Sequence, residues 1–272
     1  MSILEISLTA NNRPISFNMT FDPTFTADYA TRQYLLKNNF CEPDTVHLMA
    51  RVLRPGDYAI DGGANIGFFS LVMSRLVGDT GKIFAFEPGV NNVFKLKENL
   101  KLNNIINVEV IDQPLWIRHE KVTLHLALDS GLNSLRDQQA TMCEQEMFAT
   151  SLYDYCDDTP RLIKLDVEGA EEYVMKGLHP LRHKTPPFIV CEVNPFTLKH
   201  FDCTPRSLRM TMSTMGYDTF VLHQDGSMPT MVPPDVEVVR DRLPPNLLFS
   251  TLNAVGKVWT EVKLNEDGRV AA

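Results

Sequence analysis

Asp61-Gly62-Gly63-Ala64-Asn65-Ile66-Gly67 follows the short apolar run Tyr58-Ala59-Ile60, so a buried strand ends in a carboxylate and gives way at once to glycines. A glycine-rich turn after a strand lets a ligand approach the backbone, and the ligand's charge decides which neighbours are tolerated. The residues from Ile66 to Val77 are apolar nearly all round, as expected of a helix pressed on a sheet. Strand, glycine turn and buried helix form the first unit of a parallel α/β sheet.

The same unit recurs along the chain. Lys82 to Glu87, Val108 to Asp112, Leu162 to Asp166 and Phe188 to Glu192 are further short strands. Between them, Val93, Leu96 and Leu100 make a helical stripe opposite Lys95, Lys97, Glu98 and Asn99, and Ala170, Tyr173 and Val174 make another that Gly177 terminates. Thr204-Pro205 reads as an N-cap with proline in the first turn of a helix carrying Leu208, Met212 and Met215, with Gly216 as its stop. Tyr217 to Leu222 and Leu247 to Thr251 are the last strands, joined through Pro229, Pro233, Pro234, Pro244 and Pro245. Val122 to Leu128 alternates as an additional half-exposed strand. Upstream, two alternating runs around Asn11-Asn12 predict a hairpin, a lid or dimer element, and Thr31 to Leu53 predicts helix interrupted near Pro43. The expected organisation is an extension over residues 1–50 and a catalytic domain over 51–272.

At 272 residues and 44% hydrophobic content, the chain is long enough for one large α/β domain with additions. Its formal charge of -8 argues against a polyanionic partner, so no nucleic acid is expected. The 5 cysteines are scattered without a C-x-x-C pair, which fits free thiols in a reducing cytosol. No window reaches the ~20 apolar residues of a spanning helix and the start lacks a basic leader, so a cytoplasmic protein with no membrane partner is expected. A homo-oligomer is compatible with this reading.

In an open parallel sheet, ligands sit beyond the carboxyl ends of the strands. Asp61, Glu87, Asp112, Asp166 and Glu192 should therefore crowd one rim, and that rim calls for positive charge. A dinucleotide would bring two phosphates to the glycine turn beside Asp61. Like charges about 5 Å apart repel by roughly 3 kcal/mol at an effective dielectric of 20. The Gly62, Ala64, Gly67 spacing also fills the G-x-G-x-x-G fingerprint only in degenerate form. S-adenosylmethionine has no phosphate and carries a sulfonium and an ammonium. Asp61 is expected beside those charges, with exposed N–H groups at the helix start facing the donor's carboxylate. Glu87 is expected on the ribose hydroxyls and Asp112 on the adenine amino group.

These residues carry a resemblance. The chain resembles the FkbM family of S-adenosylmethionine-dependent methyltransferases through Asp61 to Ser70 and Phe86-Glu87-Pro88 with Asn92, Leu96 and Asn99. It continues through Gly131, Asn133, Ser134-Leu135 and the specific block Lys164-Leu165-Asp166-Val167-Glu168-Gly169-Ala170-Glu171, then Glu192, Gly216-Tyr217 and Asn246-Leu247-Leu248. The likeness covers roughly Arg51 to Thr251. It implies a Rossmann-like class I methyltransferase fold: a doubly wound, mostly parallel, seven-stranded sheet with an antiparallel last strand. It also implies transfer to a hydroxyl of a sugar or natural product. Gly62 doubles a position that is often a single glycine in the family, and Gly89-Val90-Asn91 departs from the usual residues after Glu87-Pro88. The expected cofactor site comprises Asp61, Gly62, Gly63, Ala64, Asn65, Gly67, Phe68, Glu87, Pro88 and Asp112.

An alcohol acceptor must lose its proton, and a placed carboxylate contributes ~10²- to 10⁴-fold by taking it. Asp166, Glu168 and Glu192 follow the fourth and fifth strands, so one of them is expected to be the base while the others orient the acceptor. The plain alternative pairs Asp166 or Glu168 with Lys164, which shares their strand parity. Asp166, Glu192 and Asn194 resemble the Mg²⁺ site of catechol-type O-methyltransferases, but Val193 separates the acid from the amide and no metal is expected. Asn194-Pro195-Phe196 reads as a turn, and His125 and His183 show no pairing. Two other readings stand beside this one: an NAD(P)-dependent oxidoreductase, and a non-catalytic S-adenosylmethionine-binding module. Acceptor specificity is expected in the hairpin, in Gly131 to Thr150 and in the proline-rich connection.

Overall fold

A computed structural model describes residues 2–21, 32–33, 35–36, 41–127, 130–138, 141–156, 159–178, 186–238 and 246–260. Leu128, His183, Pro244 and Pro245 lie outside the described residues, as do parts of the expected helix before Pro43. The central feature is an 8-stranded sheet. Its parallel part comprises β3 (Tyr58–Gly62), β4 (Lys82–Phe86), β5 (Val108–Ile111), β9 (Leu162–Leu165) and β10 (Phe188–Glu192). Beyond β10 come β13 (Asn246–Ser250), β11 (Asp218–Val221) and β12 (Thr230–Val232), each antiparallel to its neighbour.

The antiparallel last strand expected from the sequence is β13, inserted between β10 and β11. The sheet has one strand more than the seven expected. β12 comes from the proline-rich connection and pairs Thr230 to Val232 with the outer edge of β11, where a short strand needs only one partner.

Residues alternate between the two faces, so Ala59 and Leu162 join one core while Ile60 and Ile163 join the other. Helices α1 (Pro43–Val52), α2 (Phe68–Val77) and α3 (Val90–Leu102) contribute to the first core. Helices α4 (Glu171–Gly177), α5 (Pro195–Lys199) and α6 (Pro205–Thr214) contribute to the second, and α7 (Leu252–Thr260) closes the described chain. Helices on both faces make this a doubly wound α/β fold.

Local chemistry explains the element ends. Thr204 and Ser207 exchange side-chain and backbone hydrogen bonds in a capping box at α6. Pro43 sits in the first turn of α1, so the interruption expected near it is the point where this helix starts. Gly177 is likewise the last residue of α4 rather than its stop. A Cβ there would lie 2.5 Å from the Ile117 carbonyl oxygen, so the glycine permits a close crossing.

The N-terminal hairpin is β1 (Ser2–Ala10) and β2 (Arg13–Phe21), turning at Asn11 and Asn12 with φ of 48° and 60°. It docks on the helices rather than over the strand ends. Phe17 meets Phe68 edge-on, and the backbone N–H groups of Asn18 and Thr20 donate to Asn103 and Asn99 at 2.8 Å. Arg13 donates to the Ala50, Leu53 and Leu76 carbonyls.

The half-exposed strand predicted near Val122 is β7 (Glu120–Ala127), paired antiparallel with β8 (Thr141–Ser151). β8 also pairs with β6 (Leu115–Trp116), giving a 3-stranded sheet beside the main one. β8 escaped the pattern because Met142 to Glu146 are all exposed, so no apolar alternation marks it.

Candidate active site

The glycine turn is built by contact between two strand ends. Gly62 pairs in register with Phe86 on one side and Leu165 on the other. The N–H groups of Gly63 and Ala64 both donate to the Phe86 carbonyl, and Asp166 N–H donates to the Gly62 carbonyl. Gly63 has φ of 76°, and a Cβ on it would lie 1.7 Å from the Asp166 carbonyl oxygen. Only glycine fits such an approach.

Asn65 also takes a left-handed backbone, with φ of 49°. Its N–H donates 2.9 Å to Glu87, whose carboxylate also accepts from Gly89 N–H at 2.8 Å and from Asn92 at 3.2 Å. Burial pushes Glu87 up to about 7 against the pull of those donors. Helix α3 supports the turn from behind: Asn99 donates 2.9 Å to the Ile66 carbonyl, and Leu96 abuts Gly67. The residues Asn92, Leu96 and Asn99 are therefore one face of α3 turned to the loop.

A cleft opens at this corner. Gly63, Asn65, Glu87 and Pro88 line one part of it, and Asp166 and Glu168 line another. Leu115 and Leu124 supply apolar wall, and Asn133 and Ser134 come from the segment after β7. The loop bearing Glu168 is held from several sides. Glu168 and Gly169 have φ of 53° and 101°, Glu171 accepts from the N–H groups of Val167 and Gly169, and Ser134 and Gln138 donate to the Glu168 carbonyl.

The remaining expected cofactor residues do not line the cleft. Asp61 is fully buried beneath the turn, accepts 2.6 Å from Ser70 and faces Lys164, so its carboxylate is held by the chain's own groups. Gly62, Ala64 and Gly67 shape the turn: a Cβ on Gly62 would strike Leu115 and Leu165, and one on Gly67 would strike Leu96. Phe68 is core, packed on Phe17 and Phe69. Asp112 is exposed just past β5.

At the other end, Asp166, Glu168 and Glu192 each offer a carboxylate oxygen within 4.8 Å of the others, a spacing that could hold a metal ion. Lys164 supplies positive charge there, 3.2 Å from Asp166 and 3.9 Å from Asp61. The pairing of Lys164 with Asp166, the plain alternative for that acid, is present. Burial, then Asp166 and Glu168, hold Glu192 well above the usual carboxylate range. Sequence reasoning passed over Glu42. It precedes α1 with φ of 47°, accepts 2.6 Å from Asn246 and is pushed up to about 7 by burial, with Lys164 and Asp166 as its charged neighbours. Its only sequence signal was an acid before a helix-starting proline.

A family described as Methyltransferase FkbM domain matches residues 61–219, more than half of the chain. The chain belongs to the FkbM methyltransferase family. The match begins at the acid before the glycine turn and stops within β11, so it is narrower than the likeness read from the sequence. A curated relative, Methyltransferase 1 of Beauveria bassiana (strain ARSEF 2860), is 27% identical over 145 residues, which span 44% of this chain and 58% of that protein. A solved Methyltransferase FkbM from Methylobacillus flagellatus KT aligns with a TM-score of 0.45 and 19% identity, covering 85% of this chain and 56% of that one. A SAM-dependent methyltransferase from Aquifex aeolicus aligns with a TM-score of 0.46 and 16% identity, covering 85% and 98%.

The cleft's chemistry fits S-adenosylmethionine, the cofactor expected from the sequence. Glu87 offers carboxylate oxygens to hydroxyl donors, and Asn65 Oδ1 is a buried acceptor without a partner among the described residues. No helix among the described residues is long and apolar enough to cross a membrane.

Proposed function

We propose that this FkbM-family protein is an O-methyltransferase that methylates a hydroxyl on a small-molecule or carbohydrate acceptor. S-adenosylmethionine supplies the electrophilic methyl group. Gly63, Asn65, Glu87 and Pro88 would hold it, with Asp61, Gly62, Ala64, Gly67 and Phe68 setting the turn from beneath. Asp112, exposed past β5, keeps only a peripheral part. Neither nucleic acid nor a membrane is a partner in this proposal, which sets the enzyme in the cytoplasm.

One observation carries the reading: Asp166 and Glu168 line the same cleft as the residues expected at the cofactor. An acceptor hydroxyl in that cleft needs a proton acceptor as its oxygen takes the methyl. Asp166 is engaged by Lys164 at 3.2 Å, and burial and the neighbouring acids hold Glu192 above the usual carboxylate range. One of Asp166, Glu168 and Glu192 is assigned the general base, with the others orienting the hydroxyl. Leu115 and Leu124 exclude water from the reacting atoms.

The test is release of S-adenosylhomocysteine across a panel of sugars and natural-product alcohols with their amine counterparts. Turnover with hydroxyl acceptors, lost about 10²-fold or more in one of Asp166→Asn, Glu168→Gln and Glu192→Gln while cofactor affinity is kept, is the expected result. Turnover with the amines alone would overturn the O-methylation reading.

A further inference from the structure

Lys164 lies at the middle of the sheet, on β9 between β3 and β10, opposite Asp61 and Val190 in register. Its side chain is 5% exposed. A lysine there costs several kcal/mol of desolvation, which its surroundings must offset. The ammonium meets carboxylates from separate segments: Asp166 at 3.2 Å, Asp61 at 3.9 Å, and Glu42 through space. It also donates 3.3 Å to the Gly63 carbonyl and lies 4.9 Å above the Phe69 ring. Burial alone would lower its proton affinity, yet those carboxylates raise it above the ordinary lysine value, so it stays charged.

A hydrophobic residue in this place would fill the sheet as well and at lower cost. The contact that a purely structural ion pair does not need is the one to Gly63. Gly63 and Asp166 both line the cleft, and their backbones touch there. We propose that Lys164 is a positioning residue of the cofactor site, its ammonium pinning the Gly63 carbonyl to Asp166 so that the glycine turn and the acid at the end of β9 form one rigid corner. This rests on the cleft being the S-adenosylmethionine site. Glu87, held by Asn65, Gly89 and Asn92, stands outside the clamp. The clamp therefore acts on the part of the ligand beside Gly63 and Asp166, and leaves the part beside Glu87 alone.

The experiment is calorimetric titration of the full chain with S-adenosylhomocysteine and, separately, with adenosine, well below the melting temperature. Lys164→Met removes the cation facing buried Asp61, which keeps only its Ser70 hydrogen bond, so Asp61→Asn combined with Lys164→Met is made alongside to restore stability. The expected result is a tenfold or larger loss of S-adenosylhomocysteine affinity in the double variant, with adenosine affinity changed less than twofold. Retained S-adenosylhomocysteine affinity within twofold would overturn the proposal and leave Lys164 a structural ion-pair partner. An equal loss for both ligands would overturn it too, since that reports general loosening. If the unaltered chain binds neither ligand, the cleft assignment itself falls and takes this proposal with it, an outcome distinct from the other two.

Discussion

Gly63 and Asp166 belong to different strand ends, yet a Cβ on Gly63 would sit 1.7 Å from the Asp166 carbonyl oxygen. The glycine turn and the Lys-x-Asp-Val-Glu-Gly-Ala-Glu block, far apart in sequence, are therefore one structural corner. Gly63→Ala must both relieve that overlap and hold a side chain at φ of 76°. The expected cost is on the order of 3 kcal/mol in stability, together with loss of S-adenosylhomocysteine binding. Thermal melting and calorimetry on the variant check this, and near-native values in both would refute the close approach.

Asn99 is fully buried and satisfies three groups: it donates to the Ile66 carbonyl and accepts from the Thr20 N–H and hydroxyl. It thus joins the glycine loop to the N-terminal hairpin. Asn99→Ala takes this partner from the Thr20 N–H, the Thr20 hydroxyl and the Ile66 carbonyl, at about 1–3 kcal/mol for each where water cannot replace it. Melting should drop and hydrogen exchange of the β2 amides should rise together. A variant that melts lower while β2 protection stays unchanged would show that the hairpin is held by its apolar contacts alone.

Much of this was legible in the chain because the physical signals are local. Apolar runs closed by acids marked β3, β4, β5, β9 and β10, and Thr204-Pro205 marked the start of α6. Asn11-Asn12 marked the hairpin turn, since few other residues accept a left-handed backbone. What stayed hidden depends on contacts between distant segments. β12 needed the edge of β11, and β8 needed β7, because neither carries alternation of its own. In the site, the sequence placed Asp61 at a strand end but could not tell that Ser70 and Lys164 already hold it. Glu42 reaches the site only because α1 starts beneath Asn246.

Glu87 accepts three hydrogen bonds from the chain and still lines the cleft. Glu87→Gln turns one acceptor oxygen into a donor facing N–H groups, so the turn at Asn65 is disturbed as well as the ligand contact. A 10- to 100-fold loss of S-adenosylhomocysteine affinity, about 1.4–2.8 kcal/mol, is expected by calorimetry. Affinity unchanged within a factor of two would remove Glu87 from the cofactor site.

Asp166, Glu168 and Glu192 have the spacing of a cation site, but the Lys164 ammonium, 3.2 Å from Asp166, already offsets part of their charge. Methyl transfer is accordingly expected to survive dialysis against EDTA. A tenfold loss that added Mg²⁺ restores would show that a bound metal orients and acidifies the acceptor hydroxyl.

The cluster of raised acids gives stability an unusual slope with pH. Burial pushes Glu42, Glu87 and Glu171 each up to about 7, from an ordinary 4.5 in the unfolded chain. Between those values the folded chain binds more protons than the unfolded one, so stability is greatest at the acidic end and falls as pH rises through 7. Glu192 and Asp61, raised by burial as well, add in the same direction, and over pH 6.5 to 8 Glu42, Glu87 and Glu171 alone forfeit about 0.8 kcal/mol each and roughly 2 kcal/mol together. That is a melting temperature lower by about 5 °C for a domain of this size. His47, held low by burial, has shed its proton in both states over most of that interval and barely contributes. Hydroxyl donors arriving at Glu87 favour its carboxylate, so ligand binding near pH 7 should release protons. Calorimetry in two buffers of different ionisation heat would register that release, and a melting temperature that rose from pH 6.5 to 8 would contradict the burial of these carboxylates.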